Sequence, residues 1–185
     1  MAIPHLDQTE SDANLLTRLG KRRDAVATIK AGRLLFFPIG KATNATGAPL
    51  PTATIRRSDG DRHRYHIADR DAYSGVRAYW HDQDGTDRKG VLVGISGDAK
   101  RLKETFASEQ EAKEAAEAKW QRIQRGLATM NYELALGRAE LYPEQPVRFL
   151  GFKPEIEGTE WLIARCSHRV GERGFTMSVE LETRK

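Results

Sequence analysis

Chemistry in this chain would have to come from four of its histidines, its single cysteine, a cluster of acids and a run of arginines. His63 and His66 lie three apart in an extended run, so they project to opposite faces and make poor partners for one metal ion. His81 and His168 fall in separate runs, and no second cysteine or paired carboxylate completes a zinc spacing. Cys166 cannot close an internal disulfide and sits in an apolar extended stretch, where packing as a small hydrophobe is expected. Glu155, Glu157 and Glu160, beside Trp161, could in principle divide general acid and base roles. Acids in such a turn more commonly face water. The sequence has no GxSxG elbow, HExxH helix or glycine-rich dinucleotide loop, and Gly40-Lys41-Ala42 lacks the glycine loop and hydroxyl ligand of a phosphate loop. No catalytic, cofactor-binding or metal-ligating residue is assigned, and no enzymatic activity is expected.

The charged residues carry one further reading. Thirty Lys plus Arg against 26 Asp plus Glu give a formal charge of +4, with both signs interleaved along most of the chain. Arg56, Arg57, Arg62 and Arg64 are the exception. They flank the turn Ser58 to Asp61 and, on adjacent strands, would form a basic stripe able to hold nucleic acid. Asp59, Asp61, Asp69 and Asp71 lie close by, so a solvated strand face competes with that alternative.

The elements that must position these residues are mostly strands. From Leu127 to Glu182 the residues alternate with period two: Met130, Tyr132, Leu134 and Leu136 share one face, and Phe175, Met177, Val179 and Leu181 share another. With Pro146 to Gly151 and Trp161 to His168 they predict an antiparallel meander. Upstream, Thr9 and Asp12 form a candidate capping box for a helix carrying Leu15, Leu16 and Leu19, closed by Gly20. A hairpin of Ala25 to Ile29 and Arg33 to Ile39 follows, turning on Lys30, Ala31 and Gly32. Residues 41–51, rich in Gly, Pro, Thr and Asn, read as a linker between a lobe of 1–40 and a domain of 52–185.

In the second domain, Thr52 to Arg57 and Arg62 to Ile67 predict one hairpin. Tyr73 to His81 and Lys89 to Gly94 predict another, turning on Asp84-Gly85, with Val76, Ala78 and Trp80 on one face. Ser96 to Phe106 fits helix or strand. Ser108 with Glu111 caps a helix over 109–125 whose narrow stripe of Ala112, Ala116, Trp120 and Ile123 suits close packing on a sheet, ended by Gly126. The fold class is mainly β with α+β character: a tube-like antiparallel barrel, one packed helix, and a small helix-plus-hairpin lobe in front. At 185 residues it can bury a core. No apolar run approaches the roughly 18 residues of a membrane span, and no secretory n-region and h-region are seen, so a reducing cytoplasm is the expected place of synthesis.

Three stretches carry a resemblance to a known family: Glu10 to Leu19, Asp61 to Trp80, and above all Leu141-Tyr-Pro-Glu-Gln-Pro-Val147 through Gly158 to Ile163 and on to Gly174 to Arg184. In order and spacing the chain resembles the phage late control D family, baseplate hub proteins of contractile tails and prophages, similar to the hub part of VgrG spikes. The resemblance implies a structural role in a virion tail or baseplate, assembled in the bacterial cytoplasm. It also implies a homo-oligomer, a trimer bridging a hexameric tail tube protein to a threefold spike protein. No small-molecule substrate, cofactor, specific nucleic-acid ligand or membrane insertion is implied, and no catalytic residue belongs to the pattern. Family members are about twice as long, and the chain resembles their second half. A first ring barrel is then expected from a separate polypeptide, or the chain is a truncated prophage remnant, which is the preferred expectation.

Overall fold

The computed structural model describes residues 10–44, 46–68, 73–81, 87–172 and 174–184. The chain opens with α1 (Asp12–Arg22), which lies against β1 (Ala25–Lys30) of a two-stranded ribbon with β2 (Arg33–Pro38). The Ser11 hydroxyl, accepting from the Asn14 amide at 3.4 Å, caps α1. Thr9, expected in that role, lies outside the described residues. Gly20 does not end the helix as expected: the helix runs on to Arg22, and Gly20 is buried where a Cβ would sit 2.8 Å from the Ala25 carbonyl oxygen. Its missing side chain lets helix and ribbon touch, which an 11-residue helix of marginal intrinsic stability requires. The ribbon turns on Ala31 and Gly32, both at positive φ (49° and 71°), the geometry of a two-residue hairpin matched to strand twist.

After the 41–51 segment come β3 (Ala53–Arg56), a single 3-10 turn at Arg57–Asp59, and β4 (Gly60–Ile67). The predicted hairpin of these two strands does not form. They occupy the two ends of a six-stranded sheet, whose order is completed by β8 (Ala128–Leu134), β9 (Pro146–Leu150), β10 (Trp161–Gly171) and β11 (Gly174–Thr183): β3-β9-β10-β11-β8-β4. β3 pairs parallel to β9 and β4 antiparallel to β8, so the short 57–59 turn joins opposite edges and the sheet must curl into a half-barrel. The corner is held by the Asp59 carboxylate, which accepts from the Arg56 amide at 2.8 Å, and by the Tyr132 hydroxyl. That hydroxyl lies 3.0, 2.8 and 3.2 Å from the carbonyl oxygens of Arg56, Arg57 and Gly60. A polar, glycine-bearing turn reads the same in sequence whether it closes a hairpin or a barrel corner.

The four C-terminal strands do adjoin one another, but not as a simple meander: β9, β10 and β11 run in sequence order, and β8 adds beyond β11. Their inward alternation is as expected for Met130, Tyr132, Leu134, Met177, Val179 and Leu181, all nearly inaccessible. Leu136 departs from it. It lies past the end of β8 and is exposed. The concave side is filled, with Ile55, Tyr132, Phe149 and Trp161 in one cluster and edge-to-face contacts linking Tyr132, Phe149, Phe152 and Trp161. A short helix, α3 (Pro154–Glu157), drives Ile156 into the same core, and its Ile156 carbonyl accepts from the Trp161 indole at 2.8 Å.

Between β4 and β8 the chain forms a second layer: β5 (Gly75–His81), β6 (Arg88–Gly94), β7 (Ala99–Phe106) and α2 (Glu109–Arg125). The ambiguous stretch ending at Phe106 is therefore a strand, paired parallel to β5 in a β6-β5-β7 sheet. Asp84-Gly85 lies outside the described residues. Ser108 caps α2 as expected, accepting from the Glu111 amide at 3.3 Å. The alanine stripe of α2 lies on this small sheet, where Val76, Ala78, Ala112 and Ala116 are fully buried together. Gly126 ends α2 at φ −78°, without a left-handed cap.

Gly60 tests the corner. A Cβ there would run into the Glu133 carbonyl, so Gly60→Ala is expected to destabilise by ~3 kcal/mol in urea unfolding, as overpacking against backbone does. Tyr132→Phe, which keeps the ring and strands the carbonyls, should cost about 1–3 kcal/mol.

Candidate assembly interface

The residues that could have done chemistry are drawn into packing or dispersed. His63 lies edge-on to Phe152 with ring centroids 5.4 Å apart, and His168 stacks on Phe175 at 5.6 Å. His63 and His66 do take opposite faces: His63 is paired with Tyr132 on the concave side, His66 with Thr129 on the other. Cys166 packs against the barrel core, and burial pushes its thiol up to about 11, so it carries little thiolate near neutrality. Glu157 accepts from the Phe152 amide at 2.9 Å, and Glu155 lends its carbonyl to the Thr159 hydroxyl, both as local turn contacts. Among the described residues no group of three or more His, Cys, Asp or Glu could hold a metal ion, and no helix is long and apolar enough to cross a membrane.

The expected basic stripe is not assembled. Arg56 lies on β3 and Arg62 and Arg64 on β4, two strands that do not pair and meet only across the barrel corner. Arg57 is used by the corner, donating to the Gly60 carbonyl at 2.8 Å. Arg62 stands directly across from Glu133, and Arg64 from Asn131. The convex face carries both signs, which removes the geometric premise of the nucleic-acid alternative.

The arrangement that sequence reading missed is a buried ion cluster. Asp24, between α1 and β1 at φ 50°, receives both terminal nitrogens of Arg125 from the last turn of α2, with Nη2 at 2.7 Å from Oδ1. The Arg125 Nε reaches Glu182 of β11 at 2.8 Å. Asp24 and Arg125 are each about 5% exposed. Beside them Glu144, at φ 70°, accepts from the Gly40 amide at 2.7 Å, and the Thr183 hydroxyl donates to the Arg125 carbonyl at 2.8 Å. Burial opposes the charge on Arg125, but hydrogen bonds and attraction from Asp24 and Glu182 more than offset it and raise its pKa. Glu144 is shifted upward, first by burial and then by repulsion from Glu182 and Asp24. These residues span more than a hundred positions, and only Arg125, in a last helical turn, had any visible signal, one that reads as a dipole partner. The cluster fixes lobe, helix and barrel against one another, seconded by Arg22–Glu111 at 2.9 Å and Arg23–Glu114 at 3.1 Å.

What that fixed frame presents is the β1–β2 ribbon. Its two strands pair only with each other among the described residues, so both edges carry unpaired backbone groups. Ile29 and Leu34, directly opposite one another, are 68% and 53% exposed, and Phe36 is 40% exposed. Such a ribbon is marginal alone and costly to leave in water.

A curled sheet with a filled interior, open strand edges and a rigidly mounted apolar ribbon defines a β-walled building block for larger assemblies. The family model for the phage tail baseplate hub (GPD) matches residues 5–174. The chain belongs to that family, in agreement with the resemblance read from the sequence. It is 38% identical to a probable baseplate hub protein of Escherichia phage 186, over 98% of this chain and 58% of that protein. A probable baseplate hub protein of Escherichia phage P2 is 37% identical over the same shares. The chain thus spans 58% of the length of these curated relatives. The fold is also that of the 43 kDa tail protein of prophage MuSo2 from Shewanella oneidensis, with a TM-score of 0.60 at 20% identity, covering 95% of this chain and 54% of that one.

Two substitutions separate the roles in the ion cluster. Arg125→Met leaves the buried Asp24 with only Arg122, at 3.4 Å, and strips the partly buried Glu182 of its cation, and is expected to cost about 3–5 kcal/mol in chemical unfolding. Glu144→Gln keeps an acceptor for the Gly40 amide and removes the desolvated charge. Because folding raises the Glu144 pKa, its stabilising contribution is full below the unfolded value and is lost as pH rises through the folded one. The variant should therefore match wild type in acid and exceed it in stability at neutral pH, as thermal melts across pH will read.

Proposed function

We propose that this chain acts purely by assembly within the baseplate hub, as a homotrimer that joins the tail tube protein above to the spike protein below. The apolar β1–β2 ribbon carries this reading. Ile29, Leu34 and Phe36 stand on a strand pair with two open edges, the kind of surface a neighbouring subunit covers. A threefold ring that presents a pseudo-sixfold face to a hexameric tube is what the family resemblance implies, and the likeness to the VgrG hub belongs to the same reading. The frame behind the ribbon is held by the Arg125 cluster, so contacts made at the ribbon are transmitted to the barrel wall.

The reading includes a division into a lobe of residues 1–40, a connecting segment of 41–51 and a barrel domain of 52–185. It places the protein in the virion baseplate after synthesis in the bacterial cytoplasm. It assigns no catalytic, cofactor-binding or metal-ligating residue. Packing roles for His63, His168 and Cys166 support that assignment.

Sedimentation velocity is expected to give a trimer, and the protein should co-sediment with its own tail tube protein. Leu34→Asp with Phe36→Asp, both at exposed positions, should leave the fold intact by circular dichroism and shift the species to monomer. A wild-type protein that stays monomeric at every concentration and ignores the tube protein overturns the reading.

A further inference from the structure

An open groove of about 690 Å³ runs between α1, α2 and the strand β7, on a side of the molecule that neither the barrel wall nor the ribbon uses. Six cations line it: Arg18, Lys21 and Arg22 from α1, Lys103 from β7, and Lys119 and Arg122 from α2. Against them stand Glu104 and Glu111. Arg18 is paired with Glu10 at 2.6 Å, Arg22 with Glu111, and Arg122 with Asp24 at 3.4 Å. Lys21, Lys103 and Lys119 have no ion-pair partner among the described residues. The Lys119 ammonium is held below the ordinary lysine range, first by partial burial and then by Lys100 and Arg122, a sign that positive potential here is undercompensated. The groove wall also offers Leu102 and Ala115 as partly exposed apolar surface, and among the described residues β7 pairs only with β5.

We propose that this groove binds an acidic, partly apolar peptide segment of a partner protein. The charge excess supplies attraction and orientation, and the apolar wall supplies a surface that a phosphate backbone cannot complement. Nucleic acid fits less well, because its unbroken row of phosphates would have to pass Glu104 and Glu111. A peptide can place acids opposite Lys21, Lys103 and Lys119 and neutral side chains opposite the two glutamates. The proposal stands apart from the tube and spike assignment, since it concerns another face and another chemistry.

The test is fluorescence anisotropy on the whole protein with a labelled peptide of alternating glutamate and leucine, a scrambled peptide with lysine in place of glutamate, and a short duplex DNA. The acidic peptide is expected to bind at low ionic strength and weaken as salt is added. The pair Lys103→Glu and Lys119→Glu should reduce that affinity at least about tenfold, since each reversal replaces an attraction by a repulsion. Arg148→Glu with Arg169→Glu, the same charge change at exposed positions on the barrel strands β9 and β10, should leave it unaltered. Should the reversed groove variant fail to fold, Lys103→Gln with Lys119→Gln is expected to show a smaller loss in the same direction. Absence of acidic-peptide binding at low salt, equal binding by the groove variants, or displacement of the peptide by duplex DNA at lower concentration each overturns the proposal.

Discussion

One guanidinium organises the molecule. Arg125 leaves the final turn of α2 into a space bounded by the Asp24 corner and the last strand, and it arrives there with almost no contact with water. A buried cation of this kind tolerates little displacement, because its desolvation is offset only while both carboxylates stay in hydrogen-bond range. The consequence is geometric. The lobe that carries α1 and the ribbon, the small sheet under α2, and the barrel through Glu182 have one mutual orientation in which all charges are met. Gly40 shows how close the fit is: a Cβ there would lie 3.1 Å from the Arg125 Cδ, so the chain passes over the guanidinium stem at a residue with no side chain and a positive φ of 85°.

The barrel side answers to a different constraint. Six strands whose outermost members are joined by a three-residue turn cannot stay flat, and the Tyr132 hydroxyl sits where the two edges come together. Aromatic rings then fill the concave face, so the curled sheet is a solid wall. A solid wall, a fixed lobe and an exposed apolar ribbon suit a component whose work is to hold other subunits in register. His63 and His168 are engaged in ring contacts, Glu157 in a turn and Cys166 in core packing.

Much of this was legible in the residues. Period-two alternation located the inward faces of β8 and β11, the serine hydroxyl ahead of Glu111 located the start of α2, and Ala31-Gly32 located the ribbon turn. What failed was pairing. Ser58 to Asp61 has the composition of a hairpin turn, yet β3 and β4 find other partners, because partner choice depends on strands 61 to 94 residues away rather than on the turn. Gly20 misled for a related reason: local chemistry reads a glycine near a helix end as a cap, while here the demand is for close approach to Ala25. The ion cluster was invisible, since Asp24, Arg125, Glu144 and Glu182 share no local pattern and become neighbours only once three elements converge.

As a proposed wall segment of a phage baseplate, the chain would have to be positioned as one rigid body, and cryo-electron microscopy of tails from cells producing the protein reads that positioning. On the proposed reading, three copies are expected around the lumen at the end of the tube, each with the barrel wall, α2 and the ribbon in the orientation fixed by Arg125 and with the ribbon covered by a neighbouring subunit. Tails that assemble with the baseplate complete and no density for this chain, or copies in which the lobe has swung away from the barrel with Arg125 open to water, would contradict it.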